Sequence, residues 1–141
     1  MNIALNYWGI LLAAVASMVI GAVWYARPVF GSTWAKLAGI KMDGKPSFKN
    51  MAPLIGIQFA ASLITAYIFA HFVFFVHYYT AANWIKDGID TALWAWLGFT
   101  ACRLLTHDLF EGRRKKLTIL NVAFELVVLV AMGTIIGWMH P

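Results

Sequence analysis

The reading of this chain turns on residues 9–39, GILLAAVASMVIGAVWYARPVFGSTWAKLAG. Gly9, Ala13, Ser17 and Gly21 recur at every fourth position of its apolar first half. That spacing stacks side chains on one helix face, so the helix presents a stripe of small residues along which another backbone can come close. Such stripes matter in lipid, where Leu-rich surfaces gain little by leaving the tails for each other. Trp24 and Tyr25 follow, rings of the kind enriched at the membrane–water boundary. Pro28 then stops the helix from continuing in register. Val29, Trp34, Leu37 and Ile40 supply the apolar side of a short interfacial helix over about 28–40, with Lys36 and Lys41 on its wet side.

Composition agrees with a lipid setting. Of 141 residues 62% are hydrophobic and only 12% charged, and the mean hydropathy is +0.73. Soluble domains are roughly half apolar and a quarter charged; one of this size could not hide so much apolar surface. The net charge of +5 does not point to nucleic acid, because the basic residues sit in short loops between apolar runs and form no aromatic-interleaved patch. Cys102 is the single cysteine, which excludes an intrachain disulfide and suits a small packing residue.

Four apolar runs are present, at about 5–25, 52–76, 89–106 and 117–138, each near the roughly 20 residues that a bilayer crossing needs. The first is longer than the apolar part of a signal peptide, about 7–15 residues, and no Lys or Arg precedes it; it is expected to be retained. Pro53 suits the first turn of the second helix, and the residues 42–49 before it have turn composition, with Ser47 as a cap. Tyr78, Tyr79 and Trp84 form an aromatic belt in the next connection, and Gly133 and Gly137 give the last run a second small-residue pair. Of the 11 Lys and Arg residues, all except Lys86 fall on one side of this layout. The positive-inside rule then places both basic loops in the cytoplasm and both termini outside. The expected architecture is all-α: a single transmembrane domain spanning 1–141, with four helices, in the cytoplasmic (inner) membrane. The small-residue stripe needs either another helix of the same bundle or the same helix of a second copy, so a homo-oligomer is a further expectation.

The pattern Gly21-x-x-Trp24-Tyr25, then Phe30-Gly31-x-x-Trp34 and Gly39, resembles the opening signature of the domain of unknown function number 1761 family. Similar matches occur at Trp96-Leu97-Gly98-Phe99, at Leu109-Phe110-Glu111-Gly112-Arg113, at Asn121, and at Gly137-Trp138. The resemblance implies a small, mostly bacterial four-helix membrane protein and assigns no activity.

Ionisable residues inside a span are costly and therefore functional or pairing candidates. Arg103 and Glu125 fall at equal depth if the third and fourth helices are antiparallel neighbours. The sequence predicts an ion pair between them, with Asn121 one turn from Glu125 as a further partner. Such a pair either fixes helix register or belongs to an ion pathway; Arg103 alone could instead snorkel to headgroups. Gln58, Thr65, Arg103, Asn121 and Glu125 are the candidate polar lining of a small oligomeric channel or transporter. The alternative is a non-catalytic scaffold, accessory subunit or lipid-interacting protein in which these residues only join helices. His107, Asp108 and Glu111 share helical spacing but are followed by Arg113 to Lys116, so a charged turn is favoured over a metal site. The four histidines have no ligand spacing, and no phosphate loop or nucleophile elbow occurs. Neither an enzyme nor a cofactor is expected; membrane lipids are the expected partners.

Overall fold

The computed structural model describes residues 3–40 and 48–141. Six α-helices follow in order: α1 Tyr7–Trp24, α2 Ser32–Ala38, α3 Phe48–Thr80, α4 Trp84–Ala95, α5 Cys102–Phe110 and α6 Lys115–Trp138. Two π-helical turns interrupt them. Arg27–Gly31 leads into α2, and Trp96–Ala101 joins α4 to α5 in one unbroken helical run. No strand occurs among the described residues. Among the described residues, three helices are long and apolar enough to cross a membrane: Tyr7–Trp24, Met51–Thr80 and Lys115–Trp138. The third apolar run, read from sequence as one span, is divided by its π turn into pieces too short to qualify individually.

Helix starts follow local chemistry. Asn6 caps α1, its Oδ1 accepting from Trp8 N at 3.0 Å and Gly9 N at 3.1 Å. Asn83 does the same for α4 toward Ile85 N, 2.9 Å, and Lys86 N, 3.3 Å. An Asn side chain satisfies otherwise orphaned N–H groups at such positions. The helix of the third run therefore begins at Trp84, earlier than its hydropathy implies. Pro53 lies inside α3, not in its first turn, because the helix already begins at Phe48. The expected turn at 42–49, with the Ser47 cap and Lys41, lies largely outside the described residues.

Helix α6 is the hub and contacts α1, α2, α3, α4 and α5. The small-residue stripe of α1 is used within the chain. Ala13 and Ser17 are buried, Gly9 faces Met139 just beyond the end of α6, and Gly21 faces the Phe124 ring. The α4–α6 approach is closer still. A Cβ on Gly88 would lie 2.8 Å from the Gly133 carbonyl carbon, and one on Gly133 would meet Gly88 in the same way. Gly137 meets the backbone of Trp84 and Ile85. The core between these helices is built from Ala13, Ala66, Ala70, Val73, Ala92 and Met132; small side chains are what allow backbones to pack this tightly.

Candidate functional site

The signature residues after α1 form an aromatic knot. Pro28 and the π turn reverse the chain, with Gly31 N donating to Ala26 O at 3.0 Å. A Cβ on Gly31 would lie 2.8 Å from the Tyr25 carbonyl carbon, so the turn requires glycine. The reversal brings Phe30 to 4.6 Å from Trp24 and Trp34 to 5.4 Å from Tyr25, centroid to centroid. Phe124 of α6 joins both, at 5.9 Å from Trp24 and 5.0 Å from Tyr25. These are favourable tilted or edge-on distances. The Tyr25 hydroxyl donates to Asn121 Oδ1 at 3.4 Å, and Trp96 Nε1 donates to the Val122 carbonyl at 2.9 Å. Gly39, with φ of 72°, closes α2 in the left-handed conformation that favours glycine there. Gly112, with φ of 66°, makes the corresponding turn after α5. Gly98 has no atom within 4 Å of where its Cβ would be, and nothing in the structure explains a glycine there. Trp138 is exposed at the end of α6.

The predicted polar lining divides. Gln58 and Thr65 of α3 and Glu125 of α6 line one cleft of about 170 Å³, together with Ser17, Ser62 and Phe124. Glu125 is half-buried and Gln58 exposed, and neither makes a hydrogen bond or ion pair to another described residue. The Thr65 hydroxyl turns back to the Ala61 carbonyl at 3.0 Å, and Ser17 to Ala14 at 2.7 Å. At 1.5 Å per residue, Glu125 sits on the order of 15 Å from the start of α6, well inside that helix, which is long and apolar enough to cross a membrane. The cleft therefore offers an acceptor carboxylate and an uncommitted amide among hydroxyls, with no cationic side chain lining it.

The expected Arg103–Glu125 ion pair is absent. Arg103 is exposed on α5, and no described carboxylate lies within ion-pair distance of it. The π turn at Trp96–Ala101 rotates less per residue than an α-helix, so Arg103 is turned away from the face that Trp96 presents to α6, and equal depth alone does not bring it to Glu125. Asn121 is likewise no part of the cleft, because Tyr25 holds it at the knot.

The α5–α6 turn is a charged lock. Asp108 is buried and accepts from the Thr118 hydroxyl at 2.7 Å. His107, Asp108 and Glu111 offer ligand atoms within 4.8 Å of one another, but Arg113 Nε already lies 2.6 Å from Glu111 Oε2 and 3.7 Å from Asp108 Oδ1. A guanidinium in that position opposes a cation, in keeping with the charged-turn reading. The two basic connections meet at this end, where Arg114 Nη1 reaches the Lys36 carbonyl at 3.5 Å.

A second buried carboxylate at the opposite end escaped the sequence reading. Asp87, in the first turn of α4, is 1% exposed. His77 Nδ1 lies 2.7 Å from its Oδ2, and the Thr80 hydroxyl donates to Oδ1 at 2.9 Å. Trp84 stacks between His77, at 3.6 Å, and His140, at 5.4 Å. Lys86 pairs with Asp90 one turn on. The sequence signal was Asn83 followed by Asp87, a cap ahead of an acidic first turn, which was read as a connection.

No curated protein and no solved structure matches the chain. The family model described as a protein of unknown function, DUF1761, matches residues 8–137, which take in the knot, the cleft and both carboxylate sites. The chain belongs to the DUF1761 family.

Proposed function

We propose that the protein is a non-enzymatic, four-crossing component of the cytoplasmic membrane that binds and passes a small cation at the Glu125 cleft. The observation that carries this reading is the convergence of Gln58, Thr65 and Glu125 from two helices on one cleft of about 170 Å³. A carboxylate without a protein partner inside a span is costly unless it takes up a proton or is reached by water or a cation, and neutral hydroxyl and amide neighbours suit a cation rather than an anion. The unbroken run from α4 through α5 serves as the fourth crossing. The gathering of Lys36, Arg113, Arg114, Lys115 and Lys116 at one end supports a cytoplasmic position for that end.

The test is ion flux into proteoliposomes under a valinomycin-set potassium potential, with entrapped pyranine for protons and a sodium dye for Na⁺. Flux above protein-free vesicles, reduced at least tenfold in Glu125→Gln, is expected. Equal rates in the variant, or no flux of protons or Na⁺ in the wild type, would overturn the reading. The alternative is a scaffold, accessory subunit or lipid-interacting protein. Ser17 and Thr65 favour it locally, since each hydroxyl is committed to its own helix backbone.

A further inference from the structure

A larger groove lies between α3 and α4 at the other end of the molecule. Its volume is about 630 Å³, within the 300–1,000 Å³ typical of sites for drug-sized ligands. Its body is aromatic, with Phe72 and Phe75 on α3 and Trp94 and Phe99 on the facing run. Its head is polar, formed by Asp87, Asp90 and Thr80. From Asp87 to Phe99 the helical run rises on the order of 18 Å at 1.5 Å per residue. The groove thus descends from a charged rim into the apolar depth of the helices.

The charge at that rim is one-sided. Lys86 at the rim pairs with Asp90 in an exposed contact of the kind worth little in water. Asp87 is buried, and its neighbours within hydrogen-bond reach are a hydroxyl and an imidazole. Neither of those two partners is a fixed cation such as Lys or Arg, and a buried carboxylate is costly without full pairing. Aromatic faces below add attraction for a cation, strongest where water is excluded.

We propose that this groove binds a drug-sized hydrophobic cation, with its charged centre beside Asp87 and Asp90 and its apolar body against Phe72, Phe75, Trp94 and Phe99. The site is separate from the Glu125 cleft, with which it shares no lining residue, and the proposal stands whether or not that cleft conducts. An apolar molecule would find the same rings but no reason to prefer the carboxylate rim. An anion would meet two carboxylates.

The experiment is titration of the full-length protein in nanodiscs with tetraphenylphosphonium, followed by Trp fluorescence and by calorimetry against empty nanodiscs. Neutral triphenylphosphine oxide serves as the uncharged counterpart. Saturable binding of the cation is expected, with affinity at least tenfold above that of the oxide. Asp87→Asn and Asp90→Asn should each weaken it about tenfold, and Phe99→Ala severalfold, while Glu125→Gln leaves it unchanged. Asp90 and Phe99 are partly or largely exposed, so their variants keep the test decisive if Asp87→Asn does not fold. Equal binding of cation and oxide, or unchanged affinity in both Asp90→Asn and Phe99→Ala, would overturn the proposal. So would loss of binding in Glu125→Gln alone.

Discussion

At the residue scale some glycines lie against another backbone and others have no neighbour where a Cβ would be. Gly88 and Gly133 face each other across α4 and α6, and a methyl on either collides with the opposite carbonyl. Gly88→Ala or Gly133→Ala should destabilise the protein by about 1–3 kcal/mol, the usual range for overpacking a rigid contact. Gly56 has no atom within 4 Å of its missing Cβ, so Gly56→Ala should be neutral or stabilising by up to about 1 kcal/mol through helix propensity. Thermal melts in one detergent check both; equal shifts at Gly88 and Gly56 would contradict the packing account. The spacing of Gly133 and Gly137 announced a close helix contact in the sequence, but their partners, Gly88 and the Trp84–Ile85 backbone, did not show. Gly88 lies in a polar first turn whose charges made it resemble a loop.

At the scale of elements the two π turns decide what sequence periodicity could and could not tell. The first, at Arg27–Gly31, folds the chain back so that Tyr25 meets Trp34 and Phe124 together. The aromatic motif after α1 was legible, and its conversion into a knot over α6 was not, since Phe124 lies about a hundred residues away in the chain. The ring packing, not the 3.4 Å hydroxyl contact to Asn121, carries the contribution of Tyr25. Tyr25→Phe should therefore cost less than about 1 kcal/mol, and Tyr25→Ala about 3–5 kcal/mol. A large loss in Tyr25→Phe would shift the weight to the hydrogen bond. The second turn, at Trp96–Ala101, changes the angular step before Arg103, so the equal depth from which it was expected to meet Glu125 is not enough. A π turn inserts its extra residue without a composition signal strong enough to read in advance. Gln58, Thr65 and Glu125, three of the five residues read as a polar lining, do line one cleft, because they are polar residues of apolar runs on helices that meet.

At the scale of the whole molecule, α6 contacts every other α-helix, and polar sites sit at three levels along the bundle. Asp87 with His77 marks one end, Glu125 the interior, and Asp108 with Thr118 the other end. The apolar runs and the basic asymmetry were legible at once, since hydropathy and charge are properties of composition. The buried aspartates were not, because each lies in a helical turn whose neighbours are charged and solvent-facing. If the basic end is cytoplasmic, a C-terminal alkaline phosphatase fusion will be active and a C-terminal green fluorescent protein fusion dark. The reverse pattern would place Lys86 and the aromatic groove inside.

The account rests most heavily on a water-reachable cleft at the depth of Glu125. Its most direct test is labelling of single-cysteine variants in membranes, in a Cys102→Ser background, with a small water-soluble maleimide. Thr65→Cys, on the cleft wall, should react, and Asn121→Cys, enclosed by the aromatic knot, should stay protected. A sealed Thr65→Cys would contradict the account and leave Glu125 as a residue that only joins helices.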